Sequence, residues 1–128
     1  MVKVLIVDDN KYIRMLLKVM LESNDYEVVG EAKDKAEAIE KSKGLNPDVI
    51  LMDLRMPEKG DVAEVAMSGI SATEEIKKIN PEIKIIALTA ASQEKYRELV
   101  SRAGADRYIM KPYNEEEILK AIKSVLRK

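Results

Sequence analysis

Residues 48–53 read Asp48-Val49-Ile50-Leu51-Met52-Asp53. Four consecutive apolar side chains leave no polar face, so the run suits a strand whose sheet is covered on both sides. It follows the turn signal Asn46-Pro47 and ends on a carboxylate. The N-terminus repeats the design: Val2–Val7 is short, apolar and β-branched, and it stops at Asp8-Asp9-Asn10. Working outward, Tyr26–Ala32 reads as a strand, Ile83–Leu88 as another that ends at Thr89-Ala90-Ala91, and Asp106–Met110 as a fifth that ends at Lys111-Pro112.

Helices are expected between these runs. After Asn10, a fair N-cap, Ile13, Leu16, Leu17, Met20 and Leu21 recur at helical spacing, with Lys11, Arg14, Lys18 and Glu22 on the other face. Asp34 caps a second helix carrying Ala38, Ile39 and Leu45. Ser71–Ile79 is a third, stopped by Asn80-Pro81. Ser92 caps a fourth through Arg102, with Gly104 as its C′ residue, and Asn114 caps a fifth with Ile118, Leu119, Ile122, Val125 and Leu126 on its apolar face. Five such units predict an α/β domain spanning 1–128: a doubly wound, five-stranded parallel sheet with helices on both faces, a flavodoxin-like three-layer sandwich. A closed eight-fold barrel needs about 200 residues or more.

Composition narrows the function. Apolar residues make up 46% and charged residues 35% of 128 residues, which argues against disorder and against a membrane span. Net charge is −1, so no basic excess exists to neutralise a nucleic-acid backbone. Cysteine and histidine are both absent, which excludes disulfides, thiolate or imidazole catalysis and zinc sites built on those ligands. A metal here is held by oxygen, which favours Mg²⁺, Ca²⁺ or Mn²⁺. The apolar N-terminal run is too short for a signal peptide, so a cytoplasmic location is expected. The length is expected to leave no room for a second, output-type domain.

Ligands of open α/β sheets bind at the carboxyl ends of the strands. The sequence puts Asp8-Asp9, Asp53, Thr89 and Lys111 there. Three carboxylates in one cleft repel each other unless a hard cation sits among them, and Mg²⁺ suits a site shared with a phosphoryl group. A lysine ammonium and a threonine hydroxyl are suited to phosphoryl oxygens. One carboxylate is then a candidate nucleophile, because carboxylates form aspartyl phosphates.

Asp8-Asp9, Asp53-Leu54-Arg55-Met56-Pro57, Thr89-Ala90 and Lys111-Pro112 together resemble the receiver domain of two-component response regulators, of the single-domain, chemotaxis-regulator-like kind, over nearly the whole chain. The strand order 2-1-3-4-5 is what that resemblance implies. The resemblance also implies a phosphorelay phosphoprotein in which Asp53 accepts a phosphoryl group from a histidine kinase or phosphotransfer protein. Small donors such as acetyl phosphate could substitute. It implies that Asp9 ligates Mg²⁺ directly, Asp8 largely through water, and Arg55 through its backbone carbonyl, with Asp53 in the same metal site. Thr89 and Lys111 contact the phosphoryl group, and the Lys111–Pro112 peptide is cis. Tyr108 is the aromatic switch, which turns as Thr89 moves and remodels the surface of the fourth helix, fifth strand and fifth helix for a downstream protein target. No enzyme activity is implied beyond the domain's own phosphorylation and dephosphorylation. The rival reading is a phosphorylation-independent interaction module with the same fold. Such a module would be expected to have lost an acid, the threonine or the lysine, and all are present.

One stretch departs from the family pattern. The familiar Met-x-Gly turn resumes only at Met67-Ser68-Gly69, so the connection after the third strand is expected to be an extended loop over about 58–68. Within it Val62, Val65 and Ala66 fall at helical spacing. The extra segment Lys59–Ala66 reads either as a tolerated surface insertion or as a lid or docking element beside Asp53.

Overall fold

Five strands, β1 Lys3–Val7, β2 Glu27–Ala32, β3 Val49–Asp53, β4 Lys84–Thr89 and β5 Arg107–Met110, form the sheet. Parallel pairing orders it β2-β1-β3-β4-β5. The computed structural model describes residues 1–54 and 62–127, with the side chains of residues 62–67 and 91–93 left aside. Helices α1 Lys11–Ser23, α2 Lys35–Leu45, α3 Val62–Ile79, α4 Arg97–Ala103 and α5 Glu115–Leu126 connect and cover the strands, and a 3₁₀ turn, Ala91–Tyr96, precedes α4. This is the doubly wound α/β sandwich expected from the apolar runs.

The alternation of side chains along each strand divides the core in two. Leu5, Val7, Ile50, Met52, Ile85 and Ala87 face α2, α3 and α4, where Ala38, Ile76 and Val100 meet them. Val4, Ile6, Val49, Leu51, Ile86 and Leu88 face α1 and α5, meeting Leu17, Leu21, Ile118 and Ile122. Burial on both faces explains why β1, β3 and β4 are nearly unbroken apolar runs.

Caps set where the helices begin. Asn10 accepts from the N–H groups of Tyr12 and Ile13, and Asp34 accepts from Glu37. Asn114 and Glu117 form a reciprocal capping box at α5. Gly104, at φ 113°, ends α4 in the left-handed region that glycine adopts without strain.

The structure departs from these expectations at a few places. The loop expected over about 58–68 is shorter at its far end, because α3 runs unbroken from Val62. The spacing of Val62, Val65 and Ala66 belongs to that helix, so it is no separate piece. Lys59–Asp61 lies outside the described residues, as does the Arg55 carbonyl expected at the metal. The fourth helix is also shorter than expected, since the segment after Ser92 first forms the 3₁₀ turn; the Ser92 side chain is outside the described set. On α1, Leu16 is 61% exposed and not core, while Arg14, assigned to the solvent face, folds back toward the end of β1. Leu16 lies on an exposed apolar face with Tyr12, Met15 and Val19.

Gly69 explains how closely α3 approaches the acceptor strand. A Cβ there would lie 2.8 Å from Leu54 Cα and 3.1 Å from its carbonyl oxygen, so only glycine fits against the residue that follows Asp53.

Candidate functional site

Parallel register brings the strand ends together. Val7 pairs with Met52, Asp53 with Leu88, and Thr89 with Met110. Asp8, the residue after β1, therefore sits beside Asp53, the last residue of β3, with neighbouring strands about 4.8 Å apart. Both acids are 2% exposed, and Thr89 is fully buried at the end of β4. One carboxylate oxygen from each of Asp8, Asp9 and Asp53 lies within 4.8 Å of the others, and Asp9 is the exposed member.

Lys111 enters from the end of β5. Its Nζ is 3.3 Å from Asp53 Oδ1, and its backbone N–H donates to the Thr89 carbonyl. The Lys111–Pro112 peptide is cis. The Lys111 ammonium thus faces a cluster of three acids. The imbalance shows in Asp8, whose carboxyl is pushed up to about 7. Burial is the main cause and the Asp53 charge the next, while the Asn10 N–H and Lys111 pull the other way.

Asp8 is tightly framed. Its N–H donates to Ala32 O at 3.0 Å, its Oδ1 accepts from Asn10 N–H at 2.9 Å, and its carbonyl accepts from Arg14 Nη1 at 2.6 Å. Its Oδ2 is buried and, among the described residues, receives no donor. An orphaned carboxylate oxygen within a cluster of three acids is a poor structural device and a good cation ligand. The donor set is all oxygen, and it fits a hard divalent ion such as Mg²⁺.

Tyr108 lies next to this cleft, half-buried on β5. Its hydroxyl donates to Glu94 Oε2 at 3.3 Å, and the Arg97 guanidinium sits 5.2 Å over its ring. Burial is the main reason its hydroxyl titrates above the ordinary value; Thr89 opposes the shift and the Glu94 charge adds to it. The candidate switch thus touches both the Thr89 side and the α4 surface.

Two residues of the site were not expected from the sequence. Tyr113 follows Lys111-Pro112, and its hydroxyl is pushed up to about 12 by burial and by the charges of Asp8 and Asp53. Its place two residues after the strand-end lysine is the one signal that points to it. Arg14 is masked by its helical spacing, which places it among solvated charges.

The response regulator receiver domain model matches residues 4–123. The chain belongs to the response regulator receiver family. Among relatives, a chemotaxis protein CheY from Thermotoga maritima is 42% identical over 123 residues, covering 96% of both chains. A chemotaxis protein CheY from Bacillus subtilis is 40% identical and covers 97% of both. The crystal structure of a CheY-like receiver domain protein from Methanospirillum hungatei aligns with TM-score 0.84 at 31% identity, over 97% of this chain and 92% of that one. This receiver is therefore of the CheY type found in two-component systems, a family of signalling proteins. Among the described residues, no helix of the receiver is long and apolar enough to cross a membrane.

Proposed function

We propose that this receiver takes a phosphoryl group on Asp53 from a histidine kinase or phosphotransfer protein and uses the aspartyl phosphate as a reversible signal. A single observation carries this reading: a buried carboxylate, Asp53, stands 3.3 Å from Lys111 and within a cluster of acids that, among the described residues, leaves one oxygen of Asp8 without a donor. In the transfer, an Asp53 oxygen attacks phosphorus in line. The bond from phosphorus to the donor histidine nitrogen breaks, and its electron pair leaves on that nitrogen, which takes up a proton. Water later attacks the same phosphorus, and Asp53 leaves as a carboxylate. Positioning and charge neutralisation supply most of the rate in such transfers.

Asp8, Asp9 and Asp53 would hold Mg²⁺, with the Arg55 carbonyl assigned to it from outside the described residues. When bound, the ion neutralises charge on the phosphoryl oxygens. Lys111 exchanges its contact with Asp53 for a phosphoryl oxygen. The Thr89 hydroxyl donates to another. Movement of Thr89 frees Tyr108 to turn from Glu94 into the space beside β4, and the α4–β5–α5 face changes shape for a protein target. The chain works in the cytoplasm, binds no nucleic acid through this domain, and promotes only its own phosphorylation and hydrolysis.

The test is to incubate the protein with Mg²⁺ and acetyl phosphate and follow its intact mass. A phosphoryl adduct that is stable in acid, lost in base and absent from Asp53→Asn supports the reading. No adduct across varied donors and Mg²⁺ concentrations would leave a phosphorylation-independent interaction module.

A further inference from the structure

We infer that Arg14 and Glu31 are positioning residues for the divalent cation, fixing the turn that carries its ligands Asp8 and Asp9. The inference rests on the proposed role of that acidic cluster. Arg14 lies in the first turns of α1, and its side chain is only 17% exposed. Nη1 donates to the Asp8 carbonyl at 2.6 Å, and Nε donates to Glu31 Oε1 at 3.1 Å. Glu31 is on β2, where its own carbonyl accepts from Lys41 Nζ of α2. A chain of polar contacts thus runs from α2 across the sheet end to the last residue before Asp9.

The geometry explains what the contact does. The Asp8 carbonyl belongs to the peptide that joins Asp8 to Asp9. Holding that oxygen fixes the peptide plane, and with it the directions in which both carboxylates leave the backbone. The N–H of Asp8 is held by Ala32 and its Oδ1 by Asn10. With the carbonyl held by Arg14, the oxygen left over among the described residues is Oδ2, on a carboxylate that belongs to the acidic cluster. Glu31 holds the guanidinium on the carbonyl. Without Glu31, a cation so close to three carboxylates would have reason to swing onto them and compete with the metal. Groups that orient metal ligands are commonly worth about 10–100-fold in affinity.

Charge alone predicts the opposite sign. Arg14 is a positive group near a cation site, so removing it should tighten Mg²⁺ binding by Coulomb's law. Positioning predicts weaker binding.

Calorimetric titration of Mg²⁺ into the metal-free full chain at fixed ionic strength separates the two. Arg14→Met, which keeps the apolar stem, should weaken Mg²⁺ about 10-fold or more, and Arg14→Met with Glu31→Gln should be no worse than Arg14→Met alone. Unchanged or tighter binding by folded Arg14→Met would overturn the inference. Should Arg14→Met fail to unfold cooperatively, Arg14→Lys, which keeps the charge but loses the fork that spans Asp8 and Glu31, supplies the readout: several-fold weaker binding supports the inference, and unchanged binding overturns it. Failure of the unsubstituted protein to bind Mg²⁺ is a separate result, which removes the cation from the proposed function itself.

Discussion

At the Asp8 corner of the cleft, all but one of that residue's polar atoms are committed among the described residues: Ala32, Asn10 and Arg14 hold the residue, and Oδ2 remains. At the Tyr108 corner, the ring is half-buried, and beyond the buried Thr89 its partners are surface groups, Glu94 and Arg97, whose side chains are 46% and 64% exposed. Exposed ion pairs of that kind contribute about 0–1 kcal/mol, so they hold a side chain lightly. The same sheet edge thus carries a rigid end, where ligands must not move, and a loose end, where a side chain can change place cheaply. The division suits a domain that performs chemistry at one point and reports it at another.

The largest expected break in this picture is at the rigid end. Lys111→Ala removes the ammonium that faces Asp53 and should slow phosphorylation by acetyl phosphate about 10²-fold or more, as loss of a preorganised charge-stabilising donor does. Intact-mass time courses measure it, and a rate within a few-fold of the original would mean that Lys111 is a bystander.

The Asp8 carboxyl gives the next effect, on stability. Its pKa rises from an ordinary 3.8 to about 7 in the folded, metal-free protein. Between those values the native state binds the proton that the unfolded state has released. The contribution is therefore complete below pH 3.8 and is lost as pH rises through about 7, with a slope of at most about 1.4 kcal/mol per pH unit. Asp8→Asn should flatten that part of the stability profile measured by urea unfolding. Mg²⁺ should raise the melting temperature more at about pH 8 than at about pH 6, since the proton and the ion oppose each other at this carboxyl. Equal Mg²⁺ stabilisation at both values would contradict the placement of Asp8 in the ion's site.

Gly69→Ala tests the wall behind Asp53. The added methyl meets Leu54 backbone that cannot step aside, so a loss of about 1–3 kcal/mol is expected in denaturant unfolding. The smallest effect belongs to the loose end. Glu94→Gln should change stability by less than about 0.5 kcal/mol while moving the Tyr108 titration downward, because the Glu94 charge and hydrogen bond both raise it. NMR of ring-labelled tyrosine reads that shift directly, and an unmoved Tyr108 would mean Glu94 does not hold it.

Sequence and structure agree where burial dictates residue type. The runs at 4–7, 49–52 and 85–88 are apolar because helices cover both faces of their strands, and the polar residues that interrupt them mark the sheet edge where the site lies. Asp8, Asp53, Thr89 and Lys111 are therefore findable from position alone, although the order of the strands is not, because pairing partners leave no mark on a single strand. Arg14 is misplaced by its pattern because helical spacing describes where a side chain starts and not where a long one ends; its flexible stem lets the guanidinium reach back to Asp8. The start of α3 at Val62 is hidden because the expected pattern around Gly69 draws the boundary forward, while the close approach of Gly69 to Leu54 operates within the helix.

The most direct test of the central claim is to trap the modification where it forms. Borohydride reduces an aspartyl phosphate to homoserine, so protein treated with Mg²⁺ and acetyl phosphate, then reduced and digested, records its acceptor as a changed residue in peptide mass spectra. Homoserine is expected at position 53 and at no other aspartate. Homoserine at Asp8 or Asp9, or none at all from folded protein, would contradict a phosphoacceptor role for Asp53.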